Sequence, residues 1–321
     1  MKHIYITRPI PSLASSMLRD AGFEVTQNTA SKIPSPRNLI KALKGKKYDG
    51  VLSLLTEKID ASIFDAAPEA KIISNYAVGF NNIDVEEAKK RGVAVTNTPV
   101  TSEPVAEFTL ALILALATRI VEGDRFMKKG KYAGWDPNLL NGTDLKGKVL
   151  ALVGSGRIGF SVAERAYKAL GMKIEYYDPI PNPKLEAECG AVRHENVDDL
   201  LKVGDYVSIH VPLMKETEHL IDGRRLSLMK PNAFLINTSR GPVVDEKALE
   251  KALKERVIRG AAIDVYEFEP KVSRGLRKLE NVILTPHIAS ARESARLEMA
   301  KVAAQNIIDF FEGKKPVGLV G

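Results

Sequence analysis

Arg240, Glu269 and His287 are the side chains of this sequence best suited to chemistry, and each stands beyond a short apolar run. Arginine can clamp a carboxylate through two parallel N–H donors. Histidine can deliver or accept a proton near neutral pH, and a carboxylate beside it can orient the ring and stabilise its protonated form. Reduction of a 2-keto acid needs such a set. Arg240 follows the run Ala233–Asn237 through Thr238-Ser239, and His287 follows Val282–Leu284 through Thr285-Pro286. Between them, Gly260–Val265 carries Asp264, with Glu269 a few residues further on. Read as strands of an open parallel sheet, these runs place the three side chains at carboxyl ends, where such sheets bind ligands. Taken singly, each has a plainer reading. Arg240 suits a surface position after a strand, His287 a strand cap, and Glu269 before Pro270 a turn. Their shared placement favours a site.

The elements that would position these residues centre on Lys148–Asp178. Val149–Val153 reads as a buried strand, followed at once by Gly154-Ser155-Gly156-Arg157-Ile158-Gly159. A helical pattern (Ile158, Val162, Ala163, Ala166, Ala169, Leu170) stops at Gly171, and a second strand, Lys173–Tyr177, ends on Asp178. Strand, G-x-G-x-x-G, helix, strand and acid together form the dinucleotide-binding fingerprint. Gly154 permits the turn, Gly156 lets amides approach a pyrophosphate, and Gly159 allows close helix–strand packing. The helix N-terminus adds orphan N–H groups and partial positive charge. Asp178, roughly 20 residues beyond the last glycine, can accept from both ribose hydroxyls and favours NAD(H).

The first hundred residues also alternate strands and helices, with strands at Ile4–Thr7, Phe23–Val25, Gly50–Leu55, Lys71–Ser74 and Val93–Thr96. Such alternation predicts an α/β protein of two Rossmann-like, doubly wound parallel-sheet domains with a cleft between them. Residues 1–99 plus 290–321 are expected to form a flavodoxin-like substrate domain, and residues 100–289 the dinucleotide-binding domain. Pro104–Arg125 reads as one long helix with an apolar stripe of Val105, Phe108, Leu112, Ile113 and Leu116. Ala291–Glu312 reads as a helix returning to the first domain. The clearest loop, Gly130–Gly147, holds the only tryptophan, Trp135.

A length of 321 residues and 45% hydrophobic content suit about two domains with real cores. The net charge of +7 is scattered among 40 acids, and aromatics are only 6%, so no nucleic-acid partner is expected. A single cysteine, Cys189, rules out an internal disulfide and reads as an inert surface or packing residue. With no apolar leader after Met1 and no span long enough for a bilayer, a soluble cytoplasmic protein with no membrane partner is expected. His210 reads as structural or cofactor-adjacent. His3, His194 and His219 lack metal-ligand spacing, so no metal is expected.

The motifs GSGRIG from Gly154, IHVPL from Ile209, INTSRGPVVD from Ile236, AAIDVYEFEP from Ala261 and LTPHIAS from Leu284 resemble the D-isomer-specific 2-hydroxyacid dehydrogenases. NYAVGFNNID from Asn75 and PVAEFTLALILA from Pro104 resemble the same family, so the likeness covers nearly the whole chain. VLSLLTEKID from Val51 and GWDPNLLNGTDLKGK from Gly134 look most like its glyoxylate/hydroxypyruvate reductase branch. The resemblance implies that Arg240 binds the substrate's carboxylate and carbonyl, that His287 is the acid/base, and that Glu269 is its partner. It implies a substrate site completed by Leu55, by the backbone amides of Val78 and Gly79, and by Trp135. Asp264 would contact the nicotinamide of NAD(H). Gly154, Gly156, Arg157, Ile158, Gly159, Asp178, Val211, Pro212, Thr217, Thr238, Ser239, Arg240 and His287 would line the cofactor site. The resemblance also implies a homodimer through the cofactor domain, including the helix after Pro104, with Trp135 reaching the partner's pocket. Glu269 argues against formate dehydrogenases of the wider superfamily, which pair glutamine with the histidine. With the sequence read to Gly321, the regulatory domain of many phosphoglycerate dehydrogenases is not expected. The expected activity is NAD(H)-dependent reduction of glyoxylate or hydroxypyruvate. The alternatives are D-3-phosphoglycerate or another D-2-hydroxyacid as substrate, or an NAD(H)-sensing corepressor-like binding protein.

Overall fold

The computed structural model describes residues 1–320. The chain forms two compact units, Met1–Thr101 with the segment from Ala291 onward, and Ser102–Ser290. The first unit begins β1 (His3–Ile6), α1 (Leu13–Asp20), β2 (Glu24–Gln27), α2 (Pro36–Leu43), β3 (Gly50–Leu54), α3 (Ala61–Ala66), β4 (Ile72–Tyr76), α4 (Val85–Lys90) and β5 (Ala94–Thr96). The second unit holds α5 (Ser102–Thr118), α6 (Ile120–Lys128), β6 (Val149–Val153), α7 (Arg157–Leu170), β7 (Lys173–Tyr177), α8 (Pro183–Cys189), β8 (Val192–Arg193), α9 (Val197–Val203), β9 (Tyr206–Ile209), α10 (Gly223–Leu226), β10 (Phe234–Asn237), α11 (Glu246–Lys254), β11 (Gly260–Ile263) and β12 (Val282–Leu284). The chain then completes the first unit with α12 (Glu293–Phe311) and β13 (Leu319–Val320).

In the first unit the parallel strands run in the order β2-β1-β3-β4-β5, the flavodoxin-like doubly wound order, and β13 adds an antiparallel edge. Alternate residues of each central strand enter opposite cores. Ile4, Ile6, Leu52 and Ile72 pack with Leu18 of α1 and Met299, Ala303 and Ile307 of α12. Tyr5, Val51 and Ile73 pack with Leu39 and Leu43 of α2 and Phe64 of α3. The second unit's sheet runs β8-β7-β6-β9-β10-β11-β12, all parallel. That is the doubly wound dinucleotide-binding order with one further strand. Leu150 and Leu152 meet α5 and α7 on one face, and Ala151 and Val153 meet α9 and α11 on the other. Strands buried on both faces read as continuous apolar runs, which is why β6 and β10 are visible in the sequence.

One long helix over Pro104–Arg125 does not form. Arg119 adopts a left-handed conformation (φ 57°) and separates α5 from α6. The cause is tertiary. Thr143 N–H takes the carbonyl of Ala117 at 2.9 Å, and a Cβ on Gly142 would lie 2.2 Å from that oxygen. The loop therefore seats on the helix end, and Arg119 turns to Glu122 at 2.6 Å. Arginine is a good helix former, so nothing local signals this break. No single helix among the described residues is long and apolar enough to cross a membrane.

Candidate active site

The carboxyl end of β6 opens directly into the glycine loop. Gly154 has φ +99°, and a Cβ there would sit 2.9 Å from the carbonyl carbon and oxygen of His210, just past β9. The two diverging halves of the sheet are thus closely apposed at their switch point. A Cβ on Gly159 would meet Gly154 O at 2.3 Å, whereas one on Gly156 would meet nothing within 4 Å. The loop is tight where it packs on the protein and open at Gly156, the N-cap of α7. That cap places no side chain over the start of a 14-residue helix, whose partial positive charge faces the loop. Arg157 and Ile158 are the first two residues of the helix.

Asp178 Oδ2 accepts from Ser155 N–H at 2.8 Å and Ser155 Oγ at 3.2 Å, and Oδ1 accepts from Ile180 N–H at 3.0 Å. Its carboxylate therefore braces the glycine loop and keeps acceptor capacity on Oδ1 for a ribose hydroxyl. Val211 and Pro212 lie in the turn after β9, where Thr217 Oγ1 donates to Pro212 O at 2.6 Å. Burial pushes the His210 pKa down to about 4, so this ring is neutral at physiological pH. Its Nε2 lies 2.8 Å from Ser208 Oγ. Thr238 meets Thr109 hydroxyl to hydroxyl at 2.9 Å, and Ser239 donates twice to Asn237 Oδ1. Tight glycines, an open helix start and a braced acid fit a dinucleotide.

The three chemical side chains come together on the same unit. His287 Nδ1 lies 3.0 Å from Glu269 Oε2, while Glu269 Oε1 accepts from Tyr266 N–H at 2.9 Å. With Nδ1 engaged, Nε2 is the nitrogen left to exchange a proton with a ligand. Burial alone would raise the Glu269 pKa, but the hydrogen bond and charge of His287, with help from Arg240, hold it below the usual carboxylate range. Burial lowers the Arg240 pKa, opposed by the charge of Glu269. Arg240 spends Nη1 on Ser239 O at 2.6 Å. The rest of the fork is available to an anion.

Asp264, fully buried, builds the turn that holds the histidine. Its Oδ1 accepts from Thr285 Oγ1 at 2.6 Å and Ile288 N–H at 2.9 Å, and its Oδ2 from Ala289 N–H at 2.9 Å. His287 itself is left-handed (φ 54°), a conformation uncommon for non-glycine residues. Gly241 brings the arginine segment against the glutamate segment, because a Cβ there would lie 1.9 Å from the carbonyl of Tyr266. Behind Glu269, the side chain of Glu246 accepts from the N–H groups of Glu267 and Ser273 at 3.1 and 2.7 Å. Burial pushes the nearby Tyr266 hydroxyl up to about 12. Glu246 and Ser273 stand outside the motifs around Arg240, Asp264 and His287, so their part in supporting Glu269 has no sequence signature.

The depressed Glu269 pKa gives a signed expectation. A carboxyl whose folded value is lowered stabilises the site above its unfolded value and loses that contribution as pH falls through the folded one. Glu269 is therefore ionised at neutral pH and presents its negative charge to the facing imidazole. Glu269→Gln removes that ionisation while keeping shape, so the acid limb of kcat/KM that this carboxylate sets should disappear. An unshifted profile, measured with proton transfer rate-limiting, would show that the carboxylate does not serve the histidine.

Leu55, Val78 and Gly79 belong to the first unit, beyond the carboxyl ends of β3 and β4. Leu55 is partly exposed, and the amides of Val78 and Gly79 find no acceptor among the described residues. Trp135 stands in the loop after α6 with 83% of its surface exposed. No group of three or more His, Cys, Asp or Glu among the described residues is placed to hold a metal ion.

Residues 110–289 match the model of the D-isomer specific 2-hydroxyacid dehydrogenase NAD binding domain. The chain is 48% identical over 322 residues to a glyoxylate reductase of Thermococcus litoralis, covering 99% of this chain and 96% of that one. A Thermus thermophilus crystal structure superposes with a TM-score of 0.91 at 39% identity, over 99% of this chain and 100% of the other. An NADPH-dependent glyoxylate/hydroxypyruvate reductase of Sinorhizobium meliloti, in complex with NADP and malonate, gives a TM-score of 0.86 at 29% identity, over 100% and 97%.

Proposed function

Because the chain belongs to the D-isomer-specific 2-hydroxyacid dehydrogenase family, and is thus an NAD-dependent oxidoreductase, we propose that it reduces glyoxylate or hydroxypyruvate with NADH. The single observation that carries this reading is the Glu269–His287 pair on the unit that also holds Arg240 and the glycine loop. Within the second unit Arg240 is the group that receives the keto acid's carboxylate, and within the first the amides of Val78 and Gly79 are donors suited to one. The N-terminus of α7, the Gly154–Gly159 loop and Asp178 hold the dinucleotide, which when bound supplies the hydride to the carbonyl carbon. His287 Nε2 gives its proton to the carbonyl oxygen as negative charge develops there, so the ketone becomes an alcohol. Glu269 keeps the ring turned for transfer, and Arg240 stabilises the developing oxyanion.

A homodimer through the second unit belongs to the same proposal. Helix α6 has no buried residue although it carries Ile120 and Met127, which are 63% and 55% exposed. A helix with an uncovered apolar side is a surface awaiting a partner, and a second copy supplies it.

The cofactor preference should favour NADH. A 2′-phosphate beside Asp178 would meet a carboxylate. The arginine nearest by contact, Arg193 on β8, already donates to Asp178 O at 3.2 Å and pairs with Glu195 at 2.9 Å. Like charges brought together at a binding site are strongly disfavoured, so kcat/KM should be about tenfold or more higher with NADH than with NADPH. A panel of glyoxylate, hydroxypyruvate, pyruvate, phenylpyruvate and 3-phosphohydroxypyruvate with both cofactors tests the whole reading. Glyoxylate or hydroxypyruvate should rank first. Phenylpyruvate ranking first would overturn the substrate assignment, NADPH preference the role of Asp178, and tight NADH binding without turnover the reaction itself.

A further inference from the structure

The loop after β4 offers N–H groups rather than carbonyls, and the cause lies outside the loop. In a trans peptide the C=O and N–H point in opposite directions, so whatever holds a carbonyl also aims the next residue's amide. The carbonyl of Ala77 accepts from Thr98 N–H at 2.8 Å. That of Val78 accepts from Asn97 Nδ2 at 2.7 Å, and that of Gly79 from Asn75 Nδ2 at 2.9 Å. The amides of Val78 and Gly79 are thereby turned away from these donors, and neither has an acceptor among the described residues. Successive free amides of this kind make an anion-binding concavity.

Asn97 is in turn held by the C-terminal segment. Its N–H donates to Gly318 O at 2.8 Å, and its carbonyl accepts from Asn306 Nδ2 at 2.9 Å. Asn306, on α12 and only 1% exposed, also accepts from Gly318 N–H at 3.2 Å. The fit is close, since a Cβ on Gly318 would lie 2.0 Å from Asn97 O. The chain of contacts therefore runs from α12 through Asn97 to the peptide that carries the Gly79 amide.

We propose that Asn97 is a positioning residue for the substrate carboxylate, and that Asn306 of α12 sets the KM for the keto acid through it. The proposal rests on the reading that the Val78 and Gly79 amides take that carboxylate. It is tested in the full-length protein by measuring KM and kcat for glyoxylate at saturating NADH, NADH affinity by fluorescence, and Tm. Asn97→Ala should raise KM by about tenfold, the order expected for one mispositioned hydrogen bond, with kcat and NADH affinity changed far less. Asn97→Asp keeps the shape but replaces the donor with an acceptor, so it should raise KM at least as much. Asn306→Ala should move KM the same way by a smaller factor. Gly79→Pro deletes the amide donor itself and separates the two levels of the argument. A KM raised by Gly79→Pro but not by Asn97→Ala overturns the role of Asn97 and leaves the amide reading standing. A KM moved by neither removes the amide reading as well. Should Asn97→Ala fail to fold, Asn97→Ser and Asn306→Ala carry the same comparison. Parallel losses in kcat, NADH affinity and Tm, with no selective rise in KM, would mean a general packing role and overturn the proposal.

Discussion

His287→Ala should lower kcat for glyoxylate reduction by about 10²–10⁴, the range spanned by a positioned general acid. Its imidazole is the ring that faces Glu269 with one nitrogen and leaves the other open. His210, neutral at physiological pH, cannot substitute as a cationic acid. Alanine at this position must also hold a left-handed backbone (φ 54°), which adds a folding cost unrelated to catalysis. Asparagine tolerates that conformation, so His287→Asn isolates the loss of the proton from the strain. Both variants should show the large fall in kcat with NADH affinity nearly preserved, because the glycine loop and Asp178 are untouched. Retention of more than about a tenth of kcat in the asparagine variant would remove His287 from the role of proton donor.

The parts of this protein that could be read from its residues are those whose cause is local. A buried strand, three spaced glycines and an amphipathic helix closing at Gly171 specify β6 and α7 within one stretch of chain. Gly171 takes the left-handed cap with φ 63°. The trio was legible because strands β10, β11 and β12 are short, apolar and followed at once by polar residues. What was not legible depends on distant segments. The break at Arg119 needs Thr143 and Gly142 to arrive at the helix end. The antiparallel strand β13 is two residues long and exists because Asn306 and Asn97 seat Gly318. Asp264 reads as a candidate ligand contact, and the donors with which its carboxylate also shapes the turn around His287 reach it only through the fold. Arg193 reaches Asp178 only because β8 pairs with β7. Residue types announce chemistry, whereas orientation is fixed by side chains that have no reason to resemble a motif.

Arg240→Gln should cost about 10²–10³ in kcat/KM for glyoxylate, consistent with removing one partner of a buried, charge-assisted contact. The guanidinium gives one N–H to Ser239 O, and burial in the fold already disfavours its charge. An anion arriving at the free edge of the fork restores what burial takes away, which favours binding at that position over any neutral ligand. Glutamine keeps a hydrogen-bond donor but neither the charge nor the second parallel N–H. Arg240→Lys should recover only part of the loss, since an ammonium is a point charge and cannot present the planar fork. The same substitution has a signed effect on the neighbouring acid. Arg240 is one of the groups that hold the Glu269 pKa down, so Arg240→Gln lets it rise toward its ordinary value. The acid limb of the pH profile should then begin at higher pH, a displacement that Arg240→Lys should largely abolish. A substrate lacking the carboxylate, such as glycolaldehyde, should lose much less than glyoxylate between the parent and the glutamine variant. Equal losses for the two would show that Arg240 acts on the carbonyl alone, and an unchanged kcat/KM for glyoxylate would remove it from the site.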